Sequence, residues 1–162
     1  RIKKESKNGV YFASTVGEET TKRGAIFSCN DIKPTCTITL DVGSSSDVKY
    51  RANFTRDVKL GGGPIFTISA FGNKILSKML IDTAIKHNIP YQQVVEFSKT
   101  WTDFDEVYKL NGGVPSDLIS IPLRYMHSSV EVGSLKDVEY IVELLVEFIK
   151  SLDSNTSFDP FK

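Results

Sequence analysis

The sequence is 162 residues long, and its twenty basic and twenty acidic side chains cancel. A neutral chain makes no electrostatic case for nucleic acid or an anionic membrane, no apolar run approaches the ~20 residues that span a bilayer, and the length fits one domain with a proper core. Cys29 and Cys36 form neither a CxxC redox motif nor a zinc ribbon, so free thiols in a reducing cytoplasm are expected.

Arg1 opens a basic segment, RIKKESKNG, read as the tail of a preceding helix. Residues 10–16 (VYFASTV) are rich in β-branched and aromatic side chains and read as a buried strand ending at Glu18-Glu19. A helix is expected from that pair to about Cys29, its acidic first turn favoured by the helix dipole. Residues 36–42 (CTITLDV) read as a second buried strand with Asp41 at its downstream end. Gly61-Gly62-Gly63 could suggest a phosphate cradle, but it precedes Pro64 and a strand rather than a helix, which argues against nucleotide binding. Asn73 is expected to cap a helix reaching Asn88, with Ile75, Leu76, Met79, Leu80 and Ala84 on one stripe and His87 facing solvent in the last turn.

Residues 91–97 follow Pro90 as another strand. Core packing is the more frequent use of a residue such as Trp101, the single tryptophan. Residues 117–123 (DLISIPL) read as a strand running out through Arg124 to His127. That places an imidazole at a strand's C-terminal edge, where α/β proteins build sites. Ser134 is expected to cap a last helix whose Leu135, Val138, Ile141, Val142, Leu145, Phe148 and Ile149 form a wide apolar face. Residues 153–162 are polar apart from two phenylalanines and are expected to fray. Asn53-Phe54-Thr55 and Asn155-Thr156-Ser157 match glycosylation acceptors and are expected to be chance matches.

Three of these apolar runs carry their ionisable residues downstream: Glu18 and Glu19, Asp41, and His127. Strand ends are often polar simply because they meet water. Three together favour function, since two glutamates, an aspartate and a histidine would converge at one edge of a sheet. Carboxylate oxygens with an imidazole nitrogen suit zinc, manganese or cobalt.

Four segments resemble the tetrahedral, glutamyl and deblocking aminopeptidases, a family of dinuclear metallo-exopeptidases. They are TVGEETTKRGA (15–25), LDV (40–42), VKLGGGPIF (58–66) and GGVPSDLISIPLRYMHSSVEVGSLKDVE (112–139). The resemblance runs from about Val10 to Leu152 and implies an α/β fold, a mixed central sheet with helices on both faces, of zinc-exopeptidase type. By the same resemblance Glu18 would be the general base, Glu19 and His127 would bind one metal ion, and Asp41 the other. Thr102-Asp103 keep part of a loop that lines the family's active site, which makes Asp103 a substrate-pocket residue. Thr100, Trp101 and Phe104 stand where that loop has two glycines and an alanine, so specificity is expected to differ.

The family's further ligands, a histidine in a His-x-Asp segment and a bridging aspartate, lie upstream of the paired glutamates. Residues 1–16 contain neither a histidine nor an aspartate. Residues 1–152 are therefore expected to be the C-terminal part of a catalytic domain, with 153–162 a polar tail. The implied function is metal-dependent removal of N-terminal residues from peptides, by a homo-oligomer that touches neither nucleic acid nor membrane. The complete enzyme would use two divalent ions, while this fragment would hold one or none and be inactive alone. Two alternatives stand beside it: an incomplete half-domain acting only in association, and the cellulase or endoglucanase label given to some relatives.

Overall fold

A computed structural model describes residues 6–48 and 57–161; the acceptor match at Asn53 lies outside them. The elements are α1 (Arg23–Ile32), β1 (Thr37–Ser44), β2 (Ile65–Ser69), α2 (Lys74–Lys86), β3 (Gln92–Glu96), α3 (Phe104–Val107), a 3-10 turn (Leu110–Gly112), β4 (Ser116–Arg124), β5 (Val132–Gly133) and α4 (Leu135–Ser151). Strand order is β1-β4-β2-β3, with β5 on β4. β1 runs parallel to β4 and β2 parallel to β3, but β2 meets β4 antiparallel, so the sheet is mixed. The fold is thus the α/β class that alternating strands and helices imply. Among the described residues no helix is long and apolar enough to cross a membrane.

The main core joins Phe66 of β2, Leu76, Leu80 and Ala84 of α2, Ile119 of β4, and Ile141, Leu144 and Phe148 of α4. Asn73 caps α2 as expected, its side chain accepting from the amides of Ile75 and Leu76. Ala25 and Cys29 of α1 pack with Val107 and Val114 in a second cluster. Both cysteines are free, and burial pushes the Cys36 thiol up to about 11, which keeps it protonated and unreactive.

Several expectations are corrected. Residues 10–16 form no strand, and Tyr11 and Phe12 are 71% and 79% exposed. The segment has strand composition but pairs with no strand among the described residues, and composition alone does not make a ladder. α1 starts at Arg23 and has no acid in its first turn, so Glu18 and Glu19 sit in the turn ahead of it. His87 is half-buried, its Nδ1 3.9 Å from Glu147. Trp101 is exposed and not part of the core.

The last helix is turned from its expected setting. Asp137, Ile141, Leu144 and Phe148 are buried, at spacings of three and four residues, while Leu135 is 82% exposed. The cause is Asp137, whose buried carboxylate accepts from the amides of Gly61 and Gly63, each at 2.8 Å. A buried carboxylate must find such partners, and pinning it fixes which side of α4 faces inward. Gly63 has to be glycine: at φ +90 a Cβ would lie 1.9 Å from the Pro90 carbonyl oxygen. Ser134 stands at the cap position, but its side chain makes no cap bond. The tail does not simply fray either, because Phe158 is buried in the main core and its carbonyl accepts from the Asn73 side chain.

Candidate active site

The two glutamates are presented by a tight turn. The Gly17 carbonyl accepts from the amides of Thr21 and Lys22 at 2.9 and 2.6 Å. The Gly24 amide donates to the Val16 carbonyl at 3.0 Å, tying the turn to α1. A Cβ on Gly24 would come within 2.3 Å of the Val16 nitrogen, so only glycine permits this approach.

Asp41 lies within β1, three residues before its end, and its carboxylate accepts from the Val42 amide at 2.7 Å. Parallel register sets it against Ser120 of β4. His127 follows β4, whose exit is fixed by Arg124. That guanidinium donates to both carboxylate oxygens of Asp47, at 2.9 and 2.6 Å, and holds the Asp47 carboxyl well below the usual range. Tyr125 and His127 then take left-handed backbones, φ 60 and 63, and the His127 amide donates to Glu131 at 2.6 Å. Such conformations cost non-glycine residues free energy and collect at functional sites.

The structure brings four of the five expected residues together. Glu18, Glu19, Asp41 and His127 line one depression of about 510 Å³, with Lys22 and Trp101 also on its wall. His127 Nε2 lies 3.6 Å from Glu19 Oε1, with both side chains largely exposed. Asp103 is not on that wall. It is buried behind, its Oδ2 accepting from the Thr15 hydroxyl at 2.6 Å, because it leads directly into the buried Phe104 of α3. Asp105, two residues on, takes the wall position instead.

Electrostatically the site is a strained cluster of acids. Burial raises the Glu18 carboxyl above its ordinary value, and Asp41, Glu19 and Asp103 add repulsion that Lys22 opposes. Asp41 is raised for similar reasons, burial first, although the Val42 amide pulls against the shift. Glu18 Oε1 and Asp103 Oδ1 are buried without a hydrogen-bond partner. Lys22 and Asp105 were not singled out from the sequence. Lys22 Nζ donates to the Thr102 carbonyl at 2.6 Å and approaches Asp105 at 3.6 Å, bracing one wall. Nothing in the local pattern marks Lys22, whose partners Thr102 and Asp105 lie about eighty residues downstream, whereas Asp105 is held locally by Thr100 and Trp101.

Divalent metal chemistry fits this donor set in kind. Repelling carboxylates beside an imidazole are what a dication would neutralise. They fall short in number, since no group of three metal-binding side chains is assembled among the described residues.

Residues 1–144 match the M42 glutamyl aminopeptidase family. The chain belongs to that family. A putative aminopeptidase of Acetivibrio thermocellus is 38% identical over 150 residues, 90% of this chain and 44% of the relative. The TET aminopeptidase of the marine sediment archaeon Thaumarchaeota archaeon SCGC AB-539-E09 superposes with a TM-score of 0.78 at 32% identity, over 87% of this chain and 40% of that one. The Pyrococcus horikoshii TET1 peptidase, which can assemble into a tetrahedron or a large octahedral shell, superposes with a TM-score of 0.62 at 29% identity, over 85% and 40%. The chain thus spans about two-fifths of the length of these relatives.

Proposed function

We propose that the depression is the carboxylate-and-histidine part of a metal-dependent aminopeptidase site, acting on the free N-terminus of peptides. The observation that carries this reading is the approach of His127 to Glu19 on the wall shared with Glu18 and Asp41. Glu19 and His127 would hold one divalent ion, zinc, cobalt or manganese, and Asp41 a second. When bound, such a cation supplies Lewis-acid polarisation of the scissile carbonyl. Glu18 is the general base: its carboxylate takes a proton from the attacking water and returns it to the leaving amine nitrogen. The surrounding carboxylates attract the substrate's ammonium group. The oligomeric TET1 relative supports a homo-oligomer here as well, and the free cysteines suit the reducing cytoplasm.

A glycosidase would need two carboxylates flanking a sugar bond about 5–10 Å apart, and the acid–histidine pairing does not call for one. The test is release of N-terminal residues from peptides by the protein that carries this chain. Release should stop with a chelator and return with zinc, cobalt or manganese. Cellulose hydrolysis that survives chelation would overturn the reading.

A further inference from the structure

We propose that Trp101 is a specificity-determining residue, its indole forming the wall that receives the peptide's N-terminal side chain and favouring aromatic and large aliphatic ones. The proposal rests on the reading of the depression as an aminopeptidase site. An indole carries a large apolar surface that folding normally covers, yet Trp101 is 77% exposed and lines the depression. Its backbone is left-handed, φ 62, a conformation that tryptophan does not favour. Asp105, itself buried, holds it there. One carboxylate oxygen accepts from the Trp101 amide at 2.9 Å, and the other accepts from the Thr100 amide and hydroxyl at 2.9 and 2.8 Å. Burial opposes the charge on Asp105, but these bonds and Lys22 outweigh it and keep the carboxyl below its ordinary value.

The fold therefore spends backbone strain to fix an uncovered aromatic ring on a rigid turn. A ring on a fixed backbone binds with little further ordering. Lys99 adds a restraint, its ammonium 5.9 Å from the ring centroid, within cation–π reach. Among the described lining residues the apolar side chains are Val42, Trp101 and Met126, and Trp101 is the aromatic one. The carboxylates account for an amine; Trp101 accounts for what is attached beside it.

Trp101→Gly removes the ring and suits the left-handed backbone, so it tests the indole without unfolding the turn. Hydrolysis of phenylalanyl, leucyl and alanyl anilides should be compared for wild type and W101G forms of the protein that carries this chain. kcat/KM for the phenylalanyl and leucyl substrates should fall about tenfold relative to alanyl. Equal losses on all three, or none, would overturn the proposal. The indole also reports through its emission, taken as the difference between wild type and Trp101→Gly: phenylalanine amide should shift it and alanine amide should not. Alanyl anilide cleaved by wild type with no shift from phenylalanine amide sinks this proposal alone. A wild type that cleaves none of the anilides sinks the aminopeptidase reading beneath it.

Discussion

The carboxyl of Asp117 is 2% exposed on β4, and burial pushes it up to about 6 despite bonds from the Ser77 hydroxyl and the Leu118 amide. In the unfolded chain an aspartate titrates near 3.9. Between about pH 4 and 6 the folded protein therefore holds more protons than the unfolded one, and stability falls as pH rises through that window. Asp117→Asn should abolish this slope and stabilise the protein at pH 7 by up to about 3 kcal/mol. Denaturant unfolding at pH 4 and pH 7 measures it; parallel pH profiles for the two proteins would contradict the assignment. The glutamate pair calls for a different experiment. Glu18→Gln should lower kcat by about 10²–10⁴-fold while metal content is kept, because an amide cannot accept the proton. His127→Ala should lower metal occupancy first and activity as a consequence. If metal titration showed the ion lost in Glu18→Gln and retained in Glu19→Gln, the two roles would have to be exchanged.

At the scale of elements, the turn before α1 depends on Gly24. Alanine in a helix is ordinarily better than glycine by about 0.5–1 kcal/mol. Here the sign should reverse, since the added Cβ would strike Val16 backbone at 2.3 and 2.7 Å. Backbone cannot rotate away as a side chain tip can. Gly24→Ala should destabilise by about 1–3 kcal/mol and displace Glu18 and Glu19, so that thermal melting and peptide hydrolysis both decline. Unchanged melting would mean that the turn and helix separate freely. What the sequence made legible follows the same physics. The apolar runs around β1 and β4 were readable as strands because both found partners, and the cap of α2 because Asn73 acts within three residues. Residues 10–16 carry the same composition but find no ladder among the described residues. Neither the rotation of α4 nor the burial of Phe158 could be read locally. Asp137 is set by glycine amides some seventy-five residues upstream, and Phe158 by a core spanning β2 to α4.

At the scale of the molecule the strand-end argument holds for His127, which follows β4, but not for Glu18 and Glu19, which a turn presents, nor for Asp41, which lies within β1. Glu18, Glu19, Asp41 and His127 share one depression, whereas Asp103 is buried behind its wall, next to the buried Phe104. β1 stands at one end of the strand order, without a second strand partner among the described residues. Tyr11, Phe12, Val16 and Phe27 are exposed apolar side chains, and relatives are more than twice as long as this chain. A dinuclear centre needs a group that neutralises two closely spaced dications, and the described residues assemble no trio of ligands. The isolated 162-residue chain should accordingly hold at most one divalent ion, bound weakly through Glu19 and His127 and lost in His127→Ala. Elemental analysis after dialysis measures the stoichiometry. Two firmly held ions per chain would mean that Glu18, Glu19, Asp41 and His127 complete the centre by themselves, with Glu18 acting as a ligand rather than as the base.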